Sequence, residues 1–156
     1  MKRNQSSVSA QGIAIMRAIE SAKPQGERLV YDPYARQMVP GWMYHLVKFF
    51  ADLGYGDKRG PGVMEFLVAR DRYIDDFLQQ SLDEGLDQLV ILGAGLDSRP
   101  YRFAQLKLGV KIFEVDHPAS QATKLRKLAE LFGEVPTHVT LVAIDVPETG
   151  NTDTQI

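Results

Sequence analysis

The chain has 156 residues, about one domain by a rough prior of ~150 residues per domain, and its 44% hydrophobic content suits a buried core rather than a disordered tail. Its formal net charge of −2 offers no basic surface for nucleic acid, and the lack of cysteine excludes disulfide frameworks, thiolate zinc sites and cysteine nucleophiles. The basic start Met1-Lys2-Arg3 runs into polar residues, and Arg17 interrupts the apolar stretch from Gly12 to Ile19. No apolar run approaches the ~20 residues that cross a bilayer, so the expectation is a soluble, cytoplasmic protein with no membrane partner.

The amino-terminal region reads as helical and irregular. Asp32-Pro33 is a good helix start: the carboxylate can accept from orphan amides, and proline sits where its missing N–H costs nothing. Pro40-Gly41 ends that short helix, and Trp42 to Leu53 follows with Leu46, Phe49, Phe50 and Leu53 at helical spacing. Four glycines and a proline between Gly54 and Gly62 demand a loop. Val63 to Leu82 is the clearest helix, with Phe66, Tyr73 and Phe77 on one stripe, Leu67, Ile74 and Leu78 beside it, and Gly85 closing it.

Beyond Gly85 the period changes. Gln88 to Leu92 is a short apolar run ending in Gly93, the pattern of a strand buried on both faces. Tyr101 to Leu106 predicts a short helix and Val110 to Val115 a second strand. Pro118 to Phe132 predicts a helix stopped by Gly133, and His138 to Ile144 a third strand. Strand–helix–strand–helix–strand is two successive crossovers, which implies an α/β fold with parallel strands. The division expected is an amino-terminal helical region over 1–84, an α/β core over 85–146 and a polar tail over 147–156.

Three features fall at the carboxyl ends of three successive strands, where open α/β sheets bind ligands. Gly93-Ala94-Gly95 follows the first strand and lets backbone amides approach a ligand closely. Asp116 closes the second strand, where an acidic side chain can accept from ribose hydroxyls, and Asp145 closes the third, within reach of an adenine. A dinucleotide fingerprint would want a third glycine where this chain has Ser98, and Asp97 would oppose a pyrophosphate. S-adenosylmethionine has no phosphate and carries a cationic sulfonium and ammonium, so the electrostatics favour that methyl donor. The scattered His45, His117 and His138 have no metal-ligand spacing, so no metal is expected. His117 reads as a helix-start residue, Arg99 and Arg102 as solvated surface arginines, and Tyr101 and Phe103 as packing residues.

The segments Ile91-Leu92-Gly93-Ala94-Gly95-Leu96-Asp97-Ser98-Arg99 and Phe113-Glu114-Val115-Asp116-His117-Pro118 closely resemble the leucine carboxyl methyltransferase-like family. Asp32-Pro33-Tyr34-Ala35 and the stretch from Ala69 to Asp75 are similar to its amino-terminal region. The resemblance implies a Rossmann-like class I methyltransferase fold, here ending after the third strand, with S-adenosyl-L-methionine as cofactor. It further implies cofactor contacts from Gly93 and Gly95, Asp116 on the ribose, Asp145 and Val146 flanking the adenine, and Arg70 on the methionine carboxylate. Arg70 also stands one turn from Phe66 and Tyr73, on a stripe expected to face the core, where an unpaired arginine is costly; snorkelling to solvent or pairing with Asp97 is the other reading. The implied reaction is attack of a substrate oxygen, a carboxylate of a small molecule or protein, on the donor's methyl group. No catalytic residue is assigned. The alternative is an inactive cofactor-binding module. Because the first strand is central in that family's sheet, the resemblance also predicts an unpaired edge along Gln88–Leu92 through which two copies could associate.

Overall fold

The structure is a computed structural model that describes residues 8–55 and 60–145. The expected Gly54–Gly62 loop is therefore described only at its ends, and Val146 and the 147–156 tail lie outside the described residues. The expected crossovers are present. Strands β1 (Gln88–Leu92), β2 (Lys111–Asp116) and β3 (Val139–Ala143) pair in parallel in the order β1-β2-β3. The register sets Leu92 opposite Val115 and Asp116 opposite Ala143, so the carboxyl ends of the strands form one rim. Asp116 is the last residue of β2, closing the strand as the sequence suggests.

Helix α1 (Val8–Ser21) precedes a short α2 (Ala35–Met38) and α3 (Gly41–Asp52). Helix α2 begins two residues later than the Asp32-Pro33 start the sequence suggests, but Asp32 does hold its entry: its Oδ1 accepts from the amides of Tyr34 at 2.9 Å and Ala35 at 3.0 Å. Helix α4 (Val63–Asp83) leads into β1. The single short helix expected after β1 is instead two pieces, α5 (Arg99–Arg102) and a 3₁₀ turn (Ala104–Lys107), because Phe103 between them is extended. Helix α6 (Pro118–Phe132) has the predicted bounds; His117 caps it by accepting the Ala119 amide on Nδ1, and Gly133 stops it at φ +76°. One core cluster joins Ile15 of α1, Met38 of α2 and Tyr44 of α3 to Tyr101, Ile112 of β2 and Leu128 of α6.

Two burial expectations are overturned. Strand β1 is not buried on both faces: Leu92 is 77% exposed and Val90 48%. It is an edge strand, paired only with β2 among the described residues, and an edge receives less cover than a central strand. Helix α4 is turned the other way from its aromatic stripe. Phe66, Tyr73 and Phe77 are 67%, 70% and 61% exposed, whereas Val68, Asp71, Asp75 and Leu78 face inward. The aspartates reverse the expectation because they meet arginines: Asp75 accepts from Arg99 Nε at 2.7 Å and from Arg102 at 2.6 Å. A charge-assisted hydrogen bond that leaves no buried lone pair unanswered can outweigh the apolar preference of a helix face. Arg99 and Arg102, expected on the solvated surface, are correspondingly 8% and 9% exposed in their side chains.

A second buried pair fastens α6 to the sheet. Lys124 Nζ donates to Glu114 Oε1 at 2.6 Å, and the Tyr101 hydroxyl donates to Oε2 at 3.3 Å. Burial pushes the Glu114 carboxyl up, against the pull of Lys124. The Tyr101 phenol is also pushed up, by burial first and then by the Glu114 charge. Gln121 Nε2 bridges the strands, donating to the carbonyls of Glu114 at 3.0 Å and Val142 at 2.8 Å. Lys124→Met should therefore leave Glu114 uncompensated and lower the unfolding free energy by about 3–5 kcal/mol in urea titrations, the usual penalty for breaking a buried pair.

Candidate functional site

At the carboxyl end of β1 the chain turns through Gly93, Ala94 and Gly95 before entering α5. The turn is possible because Gly93 and Gly95 both take left-handed backbone angles, φ +63° and +46°. Gly93 and Ala94 donate their amides to the Val115 carbonyl at 2.8 and 3.2 Å. A Cβ on Gly95 would lie 2.9 Å from that of Ala10 in α1, so only glycine lets helix and loop approach so closely. A Cβ on Gly93 would meet nothing within 4 Å; that backbone faces open space.

This turn forms one wall of a cavity of about 190 Å³. Its other walls are Ala10, Ile13 and Arg17 of α1 and Arg70, Asp71 and Ile74 of α4, together with Asp97 and Arg99 beyond the turn. Arg70 is not on the inward face of α4. Its side chain is 40% exposed and only loosely paired, 3.7 Å from Asp71, while its buried Nε has no hydrogen-bond partner among the described residues. Arg99 is fully engaged: Nη1 donates to Asp97 at 2.6 Å and Nη2 to the Asp71 carbonyl at 3.3 Å. Its guanidinium is disfavoured by burial, yet Asp97, Asp75 and Asp71 hold it charged. Burial alone would push the Asp97 carboxyl up, but Arg99, Arg17, Lys124 and the Arg99 amide outweigh that and hold it at about 2.

Of the residues singled out from sequence, Arg70, Gly93 and Gly95 line one cavity. Asp116 joins them through the loop: its Oδ2 accepts from the Gly95 amide and its Oδ1 from the His117 amide at 2.6 Å. Asp145 stands apart from the cavity, exposed at the end of β3, with His117 Nε2 3.5 Å from its carboxylate. Val146 falls outside the described residues. Reasoning from the sequence missed Arg17, Asp71 and the true place of Arg99. Arg17 carried a usable signal, being the one charge inside the apolar stretch Gly12–Ile19. At the position of a third dinucleotide-type glycine, Ser98 is fully buried and hydrogen-bonded to Asp32.

The sequence model of the leucine carboxyl methyltransferase family matches residues 10–154. The chain belongs to that family. Among its relatives, a protein of Rhodococcus jostii provisionally named an S-adenosyl-L-methionine-dependent methyltransferase is 37% identical over 125 residues, covering 79% of this chain and 40% of that protein. A protein of Mycolicibacterium gilvum with the same provisional name is 33% identical over 157 residues, covering 92% of this chain and 50% of its own length. A Bacillus subtilis protein, again so named, is 40% identical over 86 residues, or 55% of this chain and 28% of that protein. The chain thus spans half or less of the length of these curated relatives. Among the described residues no helix is long and apolar enough to cross a membrane.

The Asp97 charge carries a pH signature. Its folded-state value of about 2 lies below the ordinary 3.8, so the folded protein binds this proton less tightly than the unfolded chain. The stabilisation, about 2 kcal/mol, is complete above pH ~4 and is lost as pH falls through ~2. Asp97→Asn should therefore weaken resistance to urea at neutral pH, with the gap to wild type closing on acidification through that window. A gap of constant size down to the acid end would show that the Asp97 charge contributes nothing.

Proposed function

We propose that this chain provides the donor site of an S-adenosylmethionine-dependent methyltransferase acting on an oxygen nucleophile, a carboxylate of a small molecule or a protein. The observation that supports the reading most is the single cavity shared by the Gly93–Gly95 backbone and the Arg70 side chain at the carboxyl end of β1. The residues present fit the donor. The buried Arg70 Nε, without a hydrogen-bond partner among the described residues, suits a carboxylate such as that of the methionine moiety. Each Asp116 oxygen accepts one amide and keeps lone-pair capacity for ribose hydroxyls. Asp145, one strand further along the rim and followed by Val146, would flank the adenine.

The cavity lining carries charges of both signs, Arg17, Arg70 and Arg99 with Asp71 and Asp97, which suits a ligand that itself bears a carboxylate together with cationic ammonium and sulfonium groups. S-adenosylmethionine supplies a methyl group already activated on sulfur. The protein's part is then to bind the donor's two ends, align the acceptor oxygen and keep water away. A carboxylate acceptor is ionised at neutral pH and requires no general base.

Isothermal titration of the purified chain with S-adenosylmethionine and with adenosine tests the reading. Arg70→Ala should weaken the methionine-bearing donor by about 1.5 kcal/mol, the low end for a charged hydrogen bond because the side chain is 40% exposed. Adenosine binding should be nearly unchanged, whereas Asp116→Asn should weaken both. Equal losses for both ligands in Arg70→Ala would assign that residue a structural role, and no binding by the wild type would overturn the reading.

A further inference from the structure

The loop that lines the cavity is held from two sides, and only one side belongs to the sheet. On the sheet side Asp116 and the Val115 carbonyl hold the amides of Gly95, Gly93 and Ala94. On the other side the holder is Asp32, far away in sequence and 2% exposed. Its Oδ1 is used by the start of α2. Its Oδ2 accepts from two further donors, the Ser98 hydroxyl at 2.5 Å and Arg17 Nε at 3.0 Å. Arg17 in turn donates Nη2 to the Leu96 carbonyl at 2.6 Å and places Nη1 3.7 Å from Asp71.

We propose that Asp32 is a positioning residue for the donor site, fixing the Gly93–Ser98 loop through Ser98 and Arg17. The inference rests on the donor-binding reading above. Helix capping uses only one of the two carboxylate oxygens, so it accounts for half of what this buried group does. The second oxygen ties down one end of the loop directly at Ser98. Through Arg17 it also fastens the Leu96 carbonyl to α1. Among the described residues, Asp32 Oδ2 is the carboxylate oxygen to which both the Ser98 hydroxyl and the Arg17 guanidinium donate. Neither Asp32 nor Ser98 lines the cavity. An effect of either on the ligand therefore has to travel through the loop or through Arg17, which does line the cavity.

Ser98→Ala is the informative variant, because it deletes one hydroxyl and leaves the α2 cap intact. Asp32→Asn is the second, keeping an oxygen for the cap while removing the charge opposite Arg17. Leu128→Ala serves as control: Leu128 is buried in α6 and, being apolar, takes no part in these hydrogen bonds, so its loss lowers stability and leaves their partners in place. Affinity for S-adenosylmethionine is measured by titration calorimetry at a temperature where circular dichroism shows each protein folded. Amide hydrogen exchange is followed over the loop.

Ser98→Ala should bind about five- to tenfold more weakly, the scale of one ordinary hydrogen bond, since only part of a charge-assisted bond's strength is transmitted to the ligand. Exchange should accelerate at residues 94–98 only. Asp32→Asn should change in the same direction, and Leu128→Ala should keep wild-type affinity despite a lower melting temperature. Binding by wild type that both loop variants leave unchanged overturns this inference alone. Equal weakening in Leu128→Ala also overturns it, by assigning the effect to general stability. Absence of binding by the wild type overturns the donor-binding reading together with this one.

Discussion

The structure depends on charges that have been taken out of water and answered inside the protein. Arg17, Asp32, Asp71, Asp75 and Arg99 are all buried, and they come from α1, the start of α2, α4 and the entry to α5. Removing any one would strand an uncompensated charge, which is far more costly than the net gain of the pair suggests. The network is therefore less a source of stability than a specification of arrangement. It admits one relative placement of the amino-terminal helices and the loop after β1. Asp75 shows this most directly: one carboxylate receives both Arg99 and Arg102, and so fixes the rotation of α4 about its axis.

That rotation decides what the cavity contains. With Asp71 and Asp75 inward, Arg70 is carried to the rim of the cleft beside Gly93 and Gly95, half exposed and with donor capacity to spare. Had the aromatic stripe of α4 faced the core, Arg70 would have turned inward with it and lost access to a ligand. The same rotation leaves Phe66, Tyr73 and Phe77 exposed, and Phe77 lines a groove shared with Leu89, Val90, Ile91 and Leu92 of β1. The second buried cluster, Glu114 with Lys124 and Tyr101, does the corresponding work under the rim. It locks α6 against β2, and Gln121 ties β2 to β3, so Asp116 is held at a fixed height beside the loop.

Much of the fold was legible because it is local. The Gln88–Leu92 strand and the Pro118–Phe132 helix have their predicted bounds, since an apolar run closed by glycine and a proline-to-glycine helix are signals contained in the segment itself. The parallel pairing followed from the alternation of elements. The glycine turn and Asp116 were legible for the same reason: a turn needs glycine where it stands, and a carboxylate at a strand end is placed by the strand. The burial of β1 was misjudged because an apolar run looks alike in a central strand and at an edge. What covers a strand is set by its neighbours.

What the sequence by itself determined is the α/β order of elements, the glycine loop at the strand ends and the family to which the chain belongs. Only the tertiary structure decided which way α4 faces, that Arg17 and Arg99 are buried, and that Asp32 reaches Ser98. The reason is the range of the interactions. Asp75 and Arg99 are 24 residues apart, Asp32 and Ser98 66, and Arg17 and the Leu96 carbonyl 79. Periodicity within one helix reports how its own residues prefer water. It carries no record of a charge that arrives from another segment and makes an inward aspartate more stable than an inward phenylalanine.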